Sequence, residues 1–90
     1  LETFTNELRA NYPNPFREET TIAYTLEAEQ EVTIEVYNVL GQRVQTVVQG
    51  RKEAGLHQET LRSRALASGV YFYRIQADDF TATRKMVLVR

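Results

Sequence analysis

The chain has 90 residues, 42% apolar and 26% charged, with a net charge of −1 and no cysteine. That length suits one domain, and a chain so short hides only about 60% of the surface its unfolded form exposes, so its apolar stretches must share one core. Charge near zero supplies no field to draw in nucleic acid or an anionic membrane, and the missing thiols exclude disulfides, cysteine nucleophiles and thiolate metal sites. No apolar run approaches the roughly 20 residues of a membrane span, so membrane insertion is not expected.

Thr, Val, Ile, Tyr and Phe make up 31 of the 90 residues. These β-branched and aromatic types fit a pleated, half-buried surface, which predicts an all-β fold. Residues 1–10 (LETFTNELRA) have no clear period and read as a linker from something upstream, with the folded domain expected over 11–90. In Asn11-Tyr12-Pro13-Asn14-Pro15-Phe16 the prolines fix their own φ and hold the preceding residues extended. The segment reads as an edge strand or polyproline piece anchored by Tyr12 and Phe16. Ile22, Tyr24 and Leu26 then alternate with Thr21, Ala23 and Thr25, and Val32, Ile34 and Val36 with Thr33, Glu35 and Tyr37, a period of two. Further strands are expected at about 43–48, 56–61, 69–77 and 80–89. Asn38-Val39-Leu40-Gly41 suits a tight hairpin turn with Gly41 at positive φ, and Asp78-Asp79 a two-residue turn. The stretch 62–68 is too short for a stable helix and reads as a crossover. About seven short strands with turns every 8 to 12 residues predict an immunoglobulin-like antiparallel β-sandwich.

Chemistry finds little purchase. Acyl transfer needs a base beside its nucleophile, and His57 is the single histidine, sharing a strand face with Glu59 and Leu61. It reads as a packed or rim imidazole, so no enzyme activity is expected. One histidine, no cysteine and scattered glutamates give no metal-ligand spacing, and no cofactor is expected. Tyr24, Tyr37, Tyr71 and Tyr73 suggest a sugar-stacking platform, but Tyr71, Tyr73 and Ile75 share one strand face, as an inward row does. Phe72 and Tyr37 are the aromatics left as candidates for an exposed role, and no small-molecule ligand is expected. The closing stretch Arg84-Lys85-Met86-Val87-Leu88-Val89-Arg90 places Lys85, Val87 and Val89 on one face and Arg84, Met86 and Leu88 on the other. It is either a final strand buried on both sides with flanking charges as gatekeepers, or an apolar docking edge or surface for another protein, by strand addition or side-chain contact.

Five pieces recur in one order: Asn11 to Phe16, Thr21-Ile22 with Tyr24, Val36 to Gly41, Ala67 to Tyr73, and Lys85 to Leu88. Together, over about residues 8–90, they resemble the C-terminal sorting domain of type IX secretion cargo. The resemblance implies a seven-stranded immunoglobulin-like module at the end of exported proteins of Bacteroidetes-type bacteria. Its implied partners are an outer-membrane channel, a shuttle protein and a sortase-like peptidase that cuts upstream of the module. The implied destination is the cell surface or the medium, by way of the periplasm and outer membrane. By position, the opening motif is Asn11, Tyr12, Pro13, Asn14, Pro15 and Phe16, the middle one Gly69 and Tyr71, the closing one Lys85, Met86, Val87 and Leu88. Gly69 and Tyr71 and the stretch Lys85 to Val89 are the expected partner-recognition residues, with Tyr71 holding the fold that displays the rest. Glu59, Leu61 and Asp78 depart from the family pattern, where a hydrophobic residue, Trp and Gly are common. The competing reading is a non-catalytic accessory module, carbohydrate-binding or a spacer, on a secreted enzyme.

Overall fold

Alternation decides which face of each strand turns inward. A computed structural model, describing residues 3–78 and 80–90, has strands β1 (Glu7–Leu8), β2 (Glu19–Leu26), β3 (Gln30–Tyr37), β4 (Arg43–Lys52), β5 (Gly55–Arg62), β6 (Gly69–Ala77) and β7 (Phe80–Leu88). They form two antiparallel sheets, ordered β1-β2-β5 and β4-β3-β6-β7. The expected all-β sandwich is therefore present, with β4 paired to β3. Ile22, Tyr24 and Leu26 face Val32, Ile34, Val36, Tyr73, Ile75, Met86 and Leu88 across one buried core. Strands β2, β3, β6 and the end of β7 supply it by the period-two rule read from the sequence.

Turn chemistry holds the hairpins. Gly41 has φ +82° and donates its N–H to the Asn38 carbonyl, while the Asn38 side-chain oxygen accepts from the N–H groups of Leu40 and Gln42. An asparagine that bonds the backbone ahead of it thus fixes the β3–β4 turn. Ala77 pairs with Phe80, closing the β6–β7 hairpin; of its expected turn pair, Asp78 is described and Asp79 lies outside the described residues. The 62–68 crossover is a turn, with the Leu66 N–H donating to the Ser63 carbonyl.

Two sequence expectations are corrected. Glu7–Leu8, inside the stretch read as linker, pairs with Thr25 and Tyr24, and Leu8 is buried in the core. Two residues are too few to show a period. Of the edge strand or polyproline piece expected for the opening motif, the edge strand is not formed: the motif makes only isolated bridges, Tyr12 with Thr21 and Phe16 with Leu88. Its prolines lack the N–H groups a continuous ladder requires.

Replacing Leu8 by alanine should cost about 2–4 kcal/mol in denaturant unfolding, the range for a buried leucine; a residue in a free linker would cost nothing. Burial pushes the hydroxyls of Tyr24 and Tyr73 above the ordinary tyrosine value of 10.0. Their neutral forms are favoured in the folded chain, so stability is complete below about pH 10 and is lost as pH rises from there towards the raised values. Unfolding midpoints measured through an alkaline series, with tyrosinate absorbance alongside, should show that decline.

Candidate functional site

The opening and closing motifs, some seventy positions apart in sequence, meet at one sheet edge. Phe16 donates its N–H to the Val87 carbonyl at 3.0 Å and accepts from the Val89 N–H at 2.9 Å. The Asn14 side-chain oxygen accepts the Val87 N–H at 3.0 Å. The Phe16 ring is buried in the core. Tyr12, expected as the second anchor, is 81% exposed, and only its backbone engages Thr21. Asn11 anchors instead: its buried amide donates to the Pro13 carbonyl and to the Thr20 hydroxyl. Pro13 and Pro15 are exposed and follow cis peptide bonds.

Alternation splits the closing stretch in two. Met86 and Leu88 are buried, whereas Lys85 and Val89 are exposed and Val87 is half-buried. Neither sequence alternative holds whole: one face of the strand is core, the other is open, and the edge beside Val87 is already occupied by residues 14–16. Tyr71 is buried and donates its hydroxyl to the Ala67 carbonyl at 2.7 Å. Gly69, with φ +154°, begins β6 two residues earlier, a backbone conformation that side-chain-bearing residues rarely adopt. The terminal Arg90 clasps the crossover, its guanidinium donating to the Leu66 and Arg64 carbonyls and to the Ser63 hydroxyl. Sequence reasoning missed this residue, because an arginine bonding an irregular loop leaves no periodic trace.

The outward face of the four-stranded sheet carries a bonded side-chain row. The Tyr37 hydroxyl donates to Glu35 at 2.9 Å, Arg43 donates to the other Glu35 oxygen at 3.0 Å, and Arg74 donates to the Tyr37 oxygen at 2.9 Å. The Arg74 guanidinium lies 5.1 Å from the Tyr37 ring centroid, within cation–π range. The hydrogen bonds from Tyr37 and Arg43 hold the Glu35 carboxyl below the usual carboxylate range, and the bond to Glu35 pushes the Tyr37 hydroxyl up. Phe72 pairs with Tyr37 on one side and with Lys85 on the other. Glu35-x-Tyr37 facing Phe72-x-Arg74 was the only sequence trace of this row.

His57 stacks on the buried Tyr24 ring at 5.3 Å, and its Nε2 lies 2.7 Å from the Glu53 carbonyl. It is the rim imidazole expected. The four-tyrosine platform is not assembled, since Tyr24, Tyr71 and Tyr73 are buried and Tyr37 alone of the four faces outward on the sheet. Among the described residues, no group of three His, Cys, Asp or Glu side chains is placed to hold a metal ion.

The sequence profile of a family described as a secretion system C-terminal sorting domain matches residues 10–89. No curated protein is matched. Among solved structures the chain is similar to dimeric latent PorU from Porphyromonas gingivalis, with TM-score 0.74 and 18% identity over 93% of this chain and 9% of that one. It is also similar to PorZ of the same organism, described as an essential bacterial surface component of the type IX secretion system. There the TM-score is 0.63, with 19% identity over 90% of this chain and 11% of that one. The chain thus spans about a tenth of each neighbour's length, and at these identities the likeness is one of fold.

The two proposed anchors should separate in denaturant titrations. Phe16→Ala should lose about 3–5 kcal/mol, while Tyr12→Ala should stay within about 0.5 kcal/mol of the parent.

Proposed function

The chain belongs to the secretion system C-terminal sorting domain family, and from that premise we propose that it is a folded address that carries an upstream passenger through the type IX outer-membrane channel. In this reading a shuttle protein receives the folded module, and a sortase-like peptidase cuts ahead of β1, anchoring or releasing the passenger. Family membership implies export to the cell surface or the medium. It implies no chemistry of the module's own.

The meeting of the opening and closing motifs at the β7 edge carries this reading. An address that must be read only after the module has been completed is best built from parts distant in sequence, because they coincide only in the folded chain. The opening motif contributes through Asn14 and Phe16, which fix the end of β7. Of the recognition residues, Lys85, Val87 and Val89 are the ones turned outward, and a partner would touch these. Tyr71, Met86 and Leu88 act from within the core, and Gly69 by permitting the backbone course that brings Tyr71 inward. The carbohydrate-binding form of the accessory-module reading loses its stacking platform with the burial of three of the four tyrosines.

Removing residues 84–90 would strip Met86 and Leu88 from the core, so loss of export by that truncation would report folding as much as recognition. A cleaner test places a fluorescent protein ahead of Leu1 in a type IX-competent host and compares the parent with Lys85→Glu/Val89→Ser. Surface delivery should fall about tenfold, the effect of losing roughly 1.4 kcal/mol of binding, with the unfolding midpoint unchanged. Equal delivery by the double variant would remove recognition from this strand. A parent fusion held in the periplasm would contradict the sorting function itself.

A further inference from the structure

We propose that the groove on the outward face of the four-stranded sheet, floored by Tyr37, Phe72 and Arg74, binds an acidic, extended segment of a partner protein. The inference rests on the sorting reading for its setting and extends recognition from β7 across to β3 and β6. The groove has a volume of about 330 Å³ and is walled by Val39 of the β3–β4 turn and by Thr83 of β7.

Charge selects the occupant. At the end of this face that holds the groove, Arg43, Arg74 and Lys85 bring three positive charges against the one negative charge of Glu35 among the described residues, the Glu31–Arg51 ion pair lying at the far end, and both Glu35 oxygens are already engaged, by Tyr37 and Arg43. What remains are donors. Arg74 is held by its cation–π contact with Tyr37 and by one hydrogen bond, which leaves most of its five N–H groups without a side-chain hydrogen-bond partner among the described residues. A guanidinium fixed in this way loses little freedom when it grips a carboxylate through two parallel bonds. A neutral sugar gains nothing from that surplus of positive charge, whereas a carboxylate does.

Two further features select a polypeptide over another anion. Val39 and Leu40, at the tip of the turn, are 67% and 79% exposed, an apolar tip that a protein side chain would cover and a free phosphate would not. Beside the groove, β7 is the last strand of its sheet. The Val87 N–H and carbonyl point away from β6, towards Asn14 and Phe16. By strict alternation along the unshifted β6–β7 ladder, the backbone groups of Thr81, Thr83 and Lys85 point the same way. Among the described residues they have no strand partner, so an extended segment can pair there while one of its carboxylates reaches Arg74.

The test uses the fluorescent fusion in the type IX-competent host, with p-benzoylphenylalanine at Val39 as photo-crosslinker. Irradiation should link the module to a protein segment bearing Asp or Glu within reach of Arg74. The adduct should fall about tenfold in Arg74→Glu, as expected for loss of a charge-assisted bond, and return when that acidic residue is changed to arginine. Should Arg74→Glu disturb folding, judged by thermal unfolding, Arg74→Gln removes the charge alone and should lower the adduct likewise. A parent fusion that exports yet gives no adduct, an adduct with lipid or glycan only, a segment without a carboxylate, or an adduct undiminished by either substitution overturns the proposal and leaves the sorting reading standing. A parent fusion that is not exported fails the sorting reading instead.

Discussion

One length of chain closes the sandwich. Between Glu7 and Phe16 the backbone leaves the edge of β2, where Leu8 pairs with Tyr24 and the Arg9 N–H meets the Ala23 carbonyl, and reaches the edge of β7 at Phe16. On the way it is tied to the opposite sheet by Tyr73, whose hydroxyl donates to the Arg9 carbonyl, and by Arg84, whose Nε donates to the Leu8 carbonyl. A two-layer sandwich has unpaired edges, and here one pair of edges is laced together by a single strap. The strap's own Leu8 and Phe16 side chains are buried in the core.

This constraint links packing to the role of a sorting module. A linear signal is legible in an unfolded chain; a clasp made from residues 14–16 and 87–89 is not. The opposite side of the sandwich, where β4 and β5 run close, is joined more loosely, by the Lys52–Glu59 ion pair at 3.7 Å and partly exposed side chains. The module is therefore asymmetric, with one laced side next to β7 and one open side remote from it. Arg90 adds a second tie by clasping the crossover that leads into β6, so both ends of the closing stretch are held.

Much of this was legible in the sequence, for physical reasons that can be named. Strands β2, β3 and β6 announce themselves because one face is core and the other solvent, which is the condition under which period two is written into a chain. The Asn38–Gly41 turn was legible because its side-chain bonding and positive φ restrict residue choice. β1 was not, since two residues cannot show alternation and Leu8 is a single apolar residue among polar ones. The role of Tyr12 was misassigned because an aromatic ahead of a proline looks the same whether it points in or out; only the pairing with Thr21 decides it. The Glu35–Tyr37–Arg74 row escaped because it is a contact across strands, set by the register of β3 against β6, and register is a property of the folded sheet.

The central claim is that the opening motif holds the closing strand in place, and amide hydrogen exchange tests it directly. In a bare edge strand the Val87 and Val89 N–H groups would face solvent, as those of Thr83 and Lys85 do. The strap predicts that Val87 and Val89 exchange only with global opening, like amides of the β3–β6 ladder, and that replacing Asn14 and Phe16 by alanine releases them. Exchange of Val87 and Val89 as fast as Thr83 and Lys85 in the intact protein would contradict it.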